Sequence, residues 1–173
     1  MQNTDWAENF RALYDHAVSA YRAGQRNPAA CFSHEQTAFL AAIGCSPQEV
    51  FDFAEDWCQS EDPAFETVLL ITAARRDYLL VEQQGRPSGK VIDSGQLPAK
   101  NAELGGIAWL PRIIPKAEAK LRGEMPPELM YGCGGDRPFL RRMNIHPADF
   151  LRLVWSVKGD AQKVLAFVKC SRG

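Results

Sequence analysis

The stretch FLAAIGCSPQEVFDFA, residues 39–54, returns at an offset of 100 as FLRRMNIHPADFLRLV, residues 139–154. Phe39-Leu40 answers Phe139-Leu140, and Ile43 answers Met143. Pro47 answers Pro147, Glu49 answers Asp149, and Val50-Phe51 answers Phe150-Leu151. Farther upstream Ala17 and Arg22 pair with Ala117 and Arg122. Each copy reads as a helix end, a turn, a proline in the first position of the next helix, and then apolar residues at helical spacing. Ser46 in the first copy is a good cap for the exposed amides, with Glu49 placed to close a capping box. Two readings fit the echo: a tandem repeat of a small helical unit, or two helix pairs that share a proline start.

Helical signals continue on both sides. Trp6, Phe10, Leu13, Ala17 and Tyr21 draw an apolar stripe over a helix from about residue 5 to 23, stopped near Gly24. Ser33 with Gln36 opens a second helix. Asp62-Pro63 looks like another cap and proline, starting a helix over 64–83 whose end, Tyr78 to Val81, reads equally as a short strand. Arg75-Arg76-Asp77 sits where a helix end would welcome cations. Residues 85–106 hold five glycines and two prolines and are expected to be irregular. Residues 107–122 resume as a helix, short at its front or kinked, because prolines stand at 111 and 115. Asp136 is expected to cap the helix that follows, His146-Pro147 opens the next, and Asp160 caps the last. The expectation is an all-α fold, or nearly so. About eight helices fall in an N-terminal half (1–84) and a C-terminal half (107–173), joined by the irregular connection (85–106), and the whole is expected to form one compact unit.

Bulk composition restricts the classes of function. Of the 173 residues 46% are apolar and 24% charged, and the formal net charge is −1. These are ordinary values for a globular protein. The charge is uneven, with three arginines against ten acidic residues in 1–62 and 17 basic against 11 acidic residues in the remainder. The two parts either attract each other or leave a basic half to meet an anion. MQNTDWAENF lacks the pattern of a signal peptide, and the longest apolar run, Thr67 to Ala74, is too short to span a bilayer, so no membrane association is expected. Five cysteines without a CxxC pair suit a reducing cytoplasm. The histidines at 16, 34 and 146 form no ligand pattern, so neither a metal nor a cofactor is expected.

The run LGGIAWLPRIIPKAEAKLRG (104–123), followed by YGCGGDRPFL (131–140) and PADFL (147–151), resembles an uncharacterised bacterial family, domain of unknown function 5069. The likeness extends over about residues 90–168, and Leu110-Pro111-Arg112 with Lys116 is its most specific part. Pro115 stands where the family pattern leads to an acidic residue, and Gly134-Gly135 also differs. The family has no established activity, so the resemblance implies a fold rather than a reaction.

Three chemical readings remain. The loop Tyr131-Gly132-Cys133-Gly134-Gly135-Asp136-Arg137 precedes a helix start, where backbone amides and the positive end of the helix attract anions. Arg137 and Arg112 add guanidinium groups suited to a carboxylate or phosphate. The candidate ligand-binding residues are therefore Arg112, Gly132, Cys133, Gly134, Gly135, Asp136 and Arg137, in a binding module for a small anionic ligand or an acidic partner. The alternatives are a protein–protein interaction unit, and an enzyme with Cys133 as nucleophile in a cleft between the halves. The alternative for the loop itself is a turn in which Asp136 caps the next helix. Sequence-specific nucleic-acid binding is not expected. The helix-turn-helix at 39–57 would present Glu49, Asp52, Glu55 and Asp56 to phosphate without one basic residue.

Overall fold

The computed structural model describes residues 5–171. Among them are eight α-helices and a single two-stranded ribbon. The all-α expectation is met, and the chain divides into two compact units, Met1–Arg86 and Pro87–Gly173.

In the first unit α1 (Trp6–Arg22) leads through a 3-10 turn (Pro28–Ala30) to α2 (His34–Ala42), α3 (Pro47–Ser60) and α4 (Phe65–Val81). The stripe predicted on α1 is buried at Phe10, Leu13 and Ala17, and α1 packs chiefly along α3, which buries Val50, Phe51, Phe53 and Ala54. Phe65 of α4 brings its ring 6.0 Å from Phe10 and 5.2 Å from Tyr14. Ser33 and Gln36 form the expected capping box. At Ser46 only half of it forms. Its hydroxyl accepts from the Glu49 amide, while the Glu49 carboxylate meets the Cys45 thiol instead.

One expectation for α4 is corrected, and of the two readings of its end the helical one holds. Asp62 does not cap it: the helix starts at Phe65, two residues beyond Pro63, and its N-cap position is Ala64, which has no side-chain cap. Nor do Tyr78 to Val81 form a strand. Val68, Ile71, Arg75 and Leu79 are buried at spacings of three and four, so one helical stripe runs through to Leu79 and the helix to Val81. Arg75 thus lies inside the helix, buried, and not at its end. Its guanidinium donates to Gln83 Oε1 at 2.8 Å. It lies under the α2–α3 turn, where a Cβ on Gly44 would stand 3.1 Å from Arg75 Nε.

The second unit begins at Pro87, so nearly all of the expected connection 85–106 belongs to it. That segment is tied down. The Ile92 amide donates to the Glu124 carbonyl (2.9 Å), the Ser88 hydroxyl to the Glu124 carboxylate, and the Ser94 hydroxyl to Glu128 (2.9 Å). It includes a 3-10 turn (Ser94–Gln96) and ends in an antiparallel ribbon of β1 (Glu103–Leu104) and β2 (Ile107–Ala108), with Leu104 opposite Ile107. Gly105 and Gly106, at φ 58° and 79°, supply the left-handed turn between the strands. The helix expected from residue 107 therefore starts later, as α5 (Leu110–Arg122), with Trp109 left-handed at φ 73° before it. Next come α6 (Asp136–Arg142), α7 (Pro147–Ser156) and α8 (Ala161–Ser171), and α5 packs on α7 and α8. His146 Nδ1 accepts from the Ala148 amide, and Asp160 caps α8 through the Gln162 and Lys163 amides.

The turns α2–α3 and α6–α7 carry the same backbone bonds at an offset of 100. Ile43 N donates to Phe39 and Leu40 O, and Met143 N donates to Phe139 and Leu140 O. Gly44 N reaches Ala41 O as Asn144 N reaches Arg141 O, and Cys45 N reaches Leu40 O as Ile145 N reaches Leu140 O. Gly44 and Asn144 both have positive φ. The buried sets match as well: Leu40 with Leu140, Ile43 with Met143, Val50 with Phe150, Ala54 with Val154, and outside the turns Phe10 with Leu110 and Ala17 with Ala117.

Candidate functional site

The glycine-rich loop is organised around Asp136. This residue was expected to be an N-cap, but Gly135 occupies that position and Asp136 is the first residue of α6. Its carboxylate turns inward and is fully buried. Oδ2 accepts from Lys116 Nζ at 2.5 Å and from the Gly132 amide at 3.0 Å, and Oδ1 accepts from the Trp109 indole nitrogen at 2.9 Å. Lys116 is 2% exposed. A charge buried this deeply survives only when paired and hydrogen-bonded, and both conditions hold here. Trp109 also closes the loop from above, since a Cβ added to Gly135 would stand 2.6 Å from its ring. Glycine is required at 135 for that close approach.

The remaining candidate residues fall around this clasp. Arg137 is buried and donates to the Gly132 carbonyl at 2.7 Å, which straps the loop to α6. Cys133 is half-buried, with Sγ 3.4 Å from Lys116 Nζ. Gly134 is exposed, with open space where a Cβ would lie. Arg112 lies one turn before Lys116 on α5, and its guanidinium donates to the Pro98 carbonyl at 2.8 Å. The structure thus brings residues 132–137 together, with Arg112 committed to the segment before β1. Tyr131 is buried and donates to the Pro147 carbonyl at 2.8 Å, joining the loop to the start of α7. Burial, and secondarily the Asp136 charge, push its phenol well above the usual tyrosine range, so it stays a neutral donor.

Lys116 and Trp109 were missed as parts of the site. A sign was present: Lys116 and Lys120 sit on a helix that buries Ile113, Ala117 and Leu121, and both lysines are themselves buried. A basic residue within an apolar stripe asks for a buried partner. The partner lies 20 residues away, beyond the reach of local pattern reading.

Leu110-Pro111-Arg112, Lys116 and Gly132–Arg137 all lie in the second unit. Residues 96–172 match the model of a family described as a domain of unknown function, DUF5069. The match bears out the resemblance expected for the second half, and the clasp of Trp109, Lys116 and Asp136 lies wholly inside it. No curated protein and no solved structure matches the chain.

Among the described residues no group of three or more His, Cys, Asp or Glu is placed to hold a metal ion, and no helix is long and apolar enough to cross a membrane.

Proposed function

We propose that the chain is a binding module whose basic DUF5069 unit docks an acidic protein partner. The observation that carries this reading is the division of charge between the units. Residues 1–86 hold six arginines, no lysine and 13 acidic residues, while residues 87–173 hold 14 basic and eight acidic residues, a net −7 against +6. Exposed cations of the second unit include Arg141 and Arg142 at the end of α6, Arg152 on α7, and Lys158, Lys163 and Lys169. Surface charge of one sign steers partners of the other and raises association rates. An acidic partner is favoured over a small anion held in the glycine loop. The donors such an anion would use, the Gly132 amide, the Lys116 ammonium and the Trp109 indole, already serve Asp136, and Arg137 serves the Gly132 carbonyl.

The same reading takes the units as two copies of one four-helix pattern, supported by the shared turn bonds. It places the chain in a reducing cytoplasm, supported by five free thiols. The test uses the full chain and a fluorescent polyglutamate peptide, followed by anisotropy at rising salt. We expect binding that weakens with salt as exposed charges are screened, and at least a tenfold loss in Arg141→Glu/Arg142→Glu. Failure to bind at low salt, or affinity unchanged by the charge reversal, overturns the reading. Duplex DNA serves as the competitor, and a preference for it would redirect the basic face to nucleic acid.

A further inference from the structure

We propose that Cys133 and Lys116 are a redox-controlled covalent pair: a peroxide oxidises the Cys133 thiol, and the Lys116 amine then closes a sulfur–nitrogen bond. The reacting atoms are 3.4 Å apart. Lys116 is fixed by its buried ion pair with Asp136, so its nitrogen is held beside the sulfur with little freedom to leave. Cys133 itself is half-buried, and the neighbouring Gly134 is exposed, with open space where a Cβ would lie. Other thiols of the chain have different surroundings. Cys31 is buried, and Cys45 is buried and faces the Glu49 carboxylate at 3.5 Å.

The chemistry balances in two steps. In the first, the Cys133 sulfur attacks one peroxide oxygen. A sulfur–oxygen bond forms, the oxygen–oxygen bond breaks, sulfur is oxidised to sulfenic acid, peroxide is reduced, and one water leaves. In the second, Lys116 passes a proton to Asp136, and the free amine attacks sulfur. A sulfur–nitrogen bond forms and the sulfur–oxygen bond breaks. The departing hydroxide takes the amine's second proton to leave as water. Both members of the buried pair end neutral, so the link strands no charge in the interior. An external thiol reverses it by attacking sulfur, returning the amine, and a second thiol equivalent restores Cys133.

The test treats the full chain with stoichiometric hydrogen peroxide and follows it by intact-mass and peptide mass spectrometry. We expect a loss of about 2 Da, a tryptic fragment in which Lys116 resists cleavage and is joined to Cys133, and full reversal by dithiothreitol. Cys133→Ser abolishes the link and leaves Lys116 cleavable. Lys116→Arg keeps a cation for Asp136 but removes the amine, so Cys133 instead gains about 16 Da, and about 32 Da once a second equivalent of peroxide is added. Should that variant not fold, the peptide map of the wild-type chain decides alone. The proposal is overturned if Cys133 is found unmodified, disulfide-bonded, or oxidised with Lys116 still free.

Discussion

Asp136 and Lys116 show how far a residue's role departs from its local sequence. A helix cap replaced by alanine costs about 0.5–2 kcal/mol, whereas removing one partner of a buried ion pair costs about 3–5 kcal/mol. Asp136→Ala is therefore expected in the larger range, measured by urea denaturation. Lys116→Met/Asp136→Leu should be less destabilised than either single change, because no lone charge is left inside. A loss near 1 kcal/mol for Asp136→Ala would mean the pair contributes little. A second titratable residue answers to pH. Burial, opposed by the hydrogen bond from Gln48 and helped by Glu55, Glu49 and Asp56, pushes the Asp52 carboxyl up to about 6. Its folded-state value lies above its unfolded value, so the folded chain holds the extra proton between pH 4 and 6. Stability from this group is present at low pH and lost as pH rises through about 6. Asp52→Asn should raise stability at pH 7.5 by about 1 kcal/mol after allowance for solvent screening, read as a higher melting temperature, and change it little at pH 4. Equal effects at both pH values would exclude Asp52 as the source. Neither residue's state was legible in the sequence. Asp136 looked like a cap because caps and buried acids both precede apolar helices, and only the fold brings Lys116 to it.

Elements were easier to read than their ends. The stripe on α1, the capping box at Ser33 and the proline starts at 47 and 147 are local devices, and all appear where the spacing puts them. The errors arise where distant packing decides. Pro111 permitted a helix from 107, but pairing of Ile107 with Leu104 takes those residues into a ribbon. The glycine loop is similar. Its three glycines look alike in sequence, yet the structure separates them. Gly135→Ala would push a Cβ to 2.6 Å from the Trp109 ring, and overpacking of this kind costs about 1–3 kcal/mol. Gly134→Ala meets nothing within 4 Å and should be neutral or stabilising by a few tenths. Thermal melts of the two variants give the comparison. Equal losses would mean the loop is stiff throughout, and no loss at 135 would mean Trp109 swings aside.

At the scale of the molecule, each unit holds its own core. The clasp and the segment tied to Glu124 lie entirely after Pro87. A fragment of residues 87–173 is therefore expected to fold alone, giving a helical circular dichroism spectrum and one cooperative thermal transition. A spectrum of unfolded chain would show that the fragment lacks a self-sufficient core. The likeness of the α2–α3 and α6–α7 turns was legible through the echo of 39–54 in 139–154, because both use the same local bonds. The boundary was not, since residues 87–106 look like a linker and only their hydrogen bonds assign them to the second unit. The turn over Arg75 carries a consequence for recombining the halves. Positions 44 and 144 need the same left-handed backbone, which glycine and asparagine both accept. They differ in the room above them, since Arg75, buried and bonded to Gln83, fills the space beside Gly44. A graft of the α6–α7 turn into the first unit would thus import a side chain whose Cβ lies 3.1 Å from Arg75 Nε, so Arg75 would have to give way. Such a chimera would be better tolerated with Arg75 exchanged for something smaller, so a shared turn pattern does not by itself make two turns exchangeable.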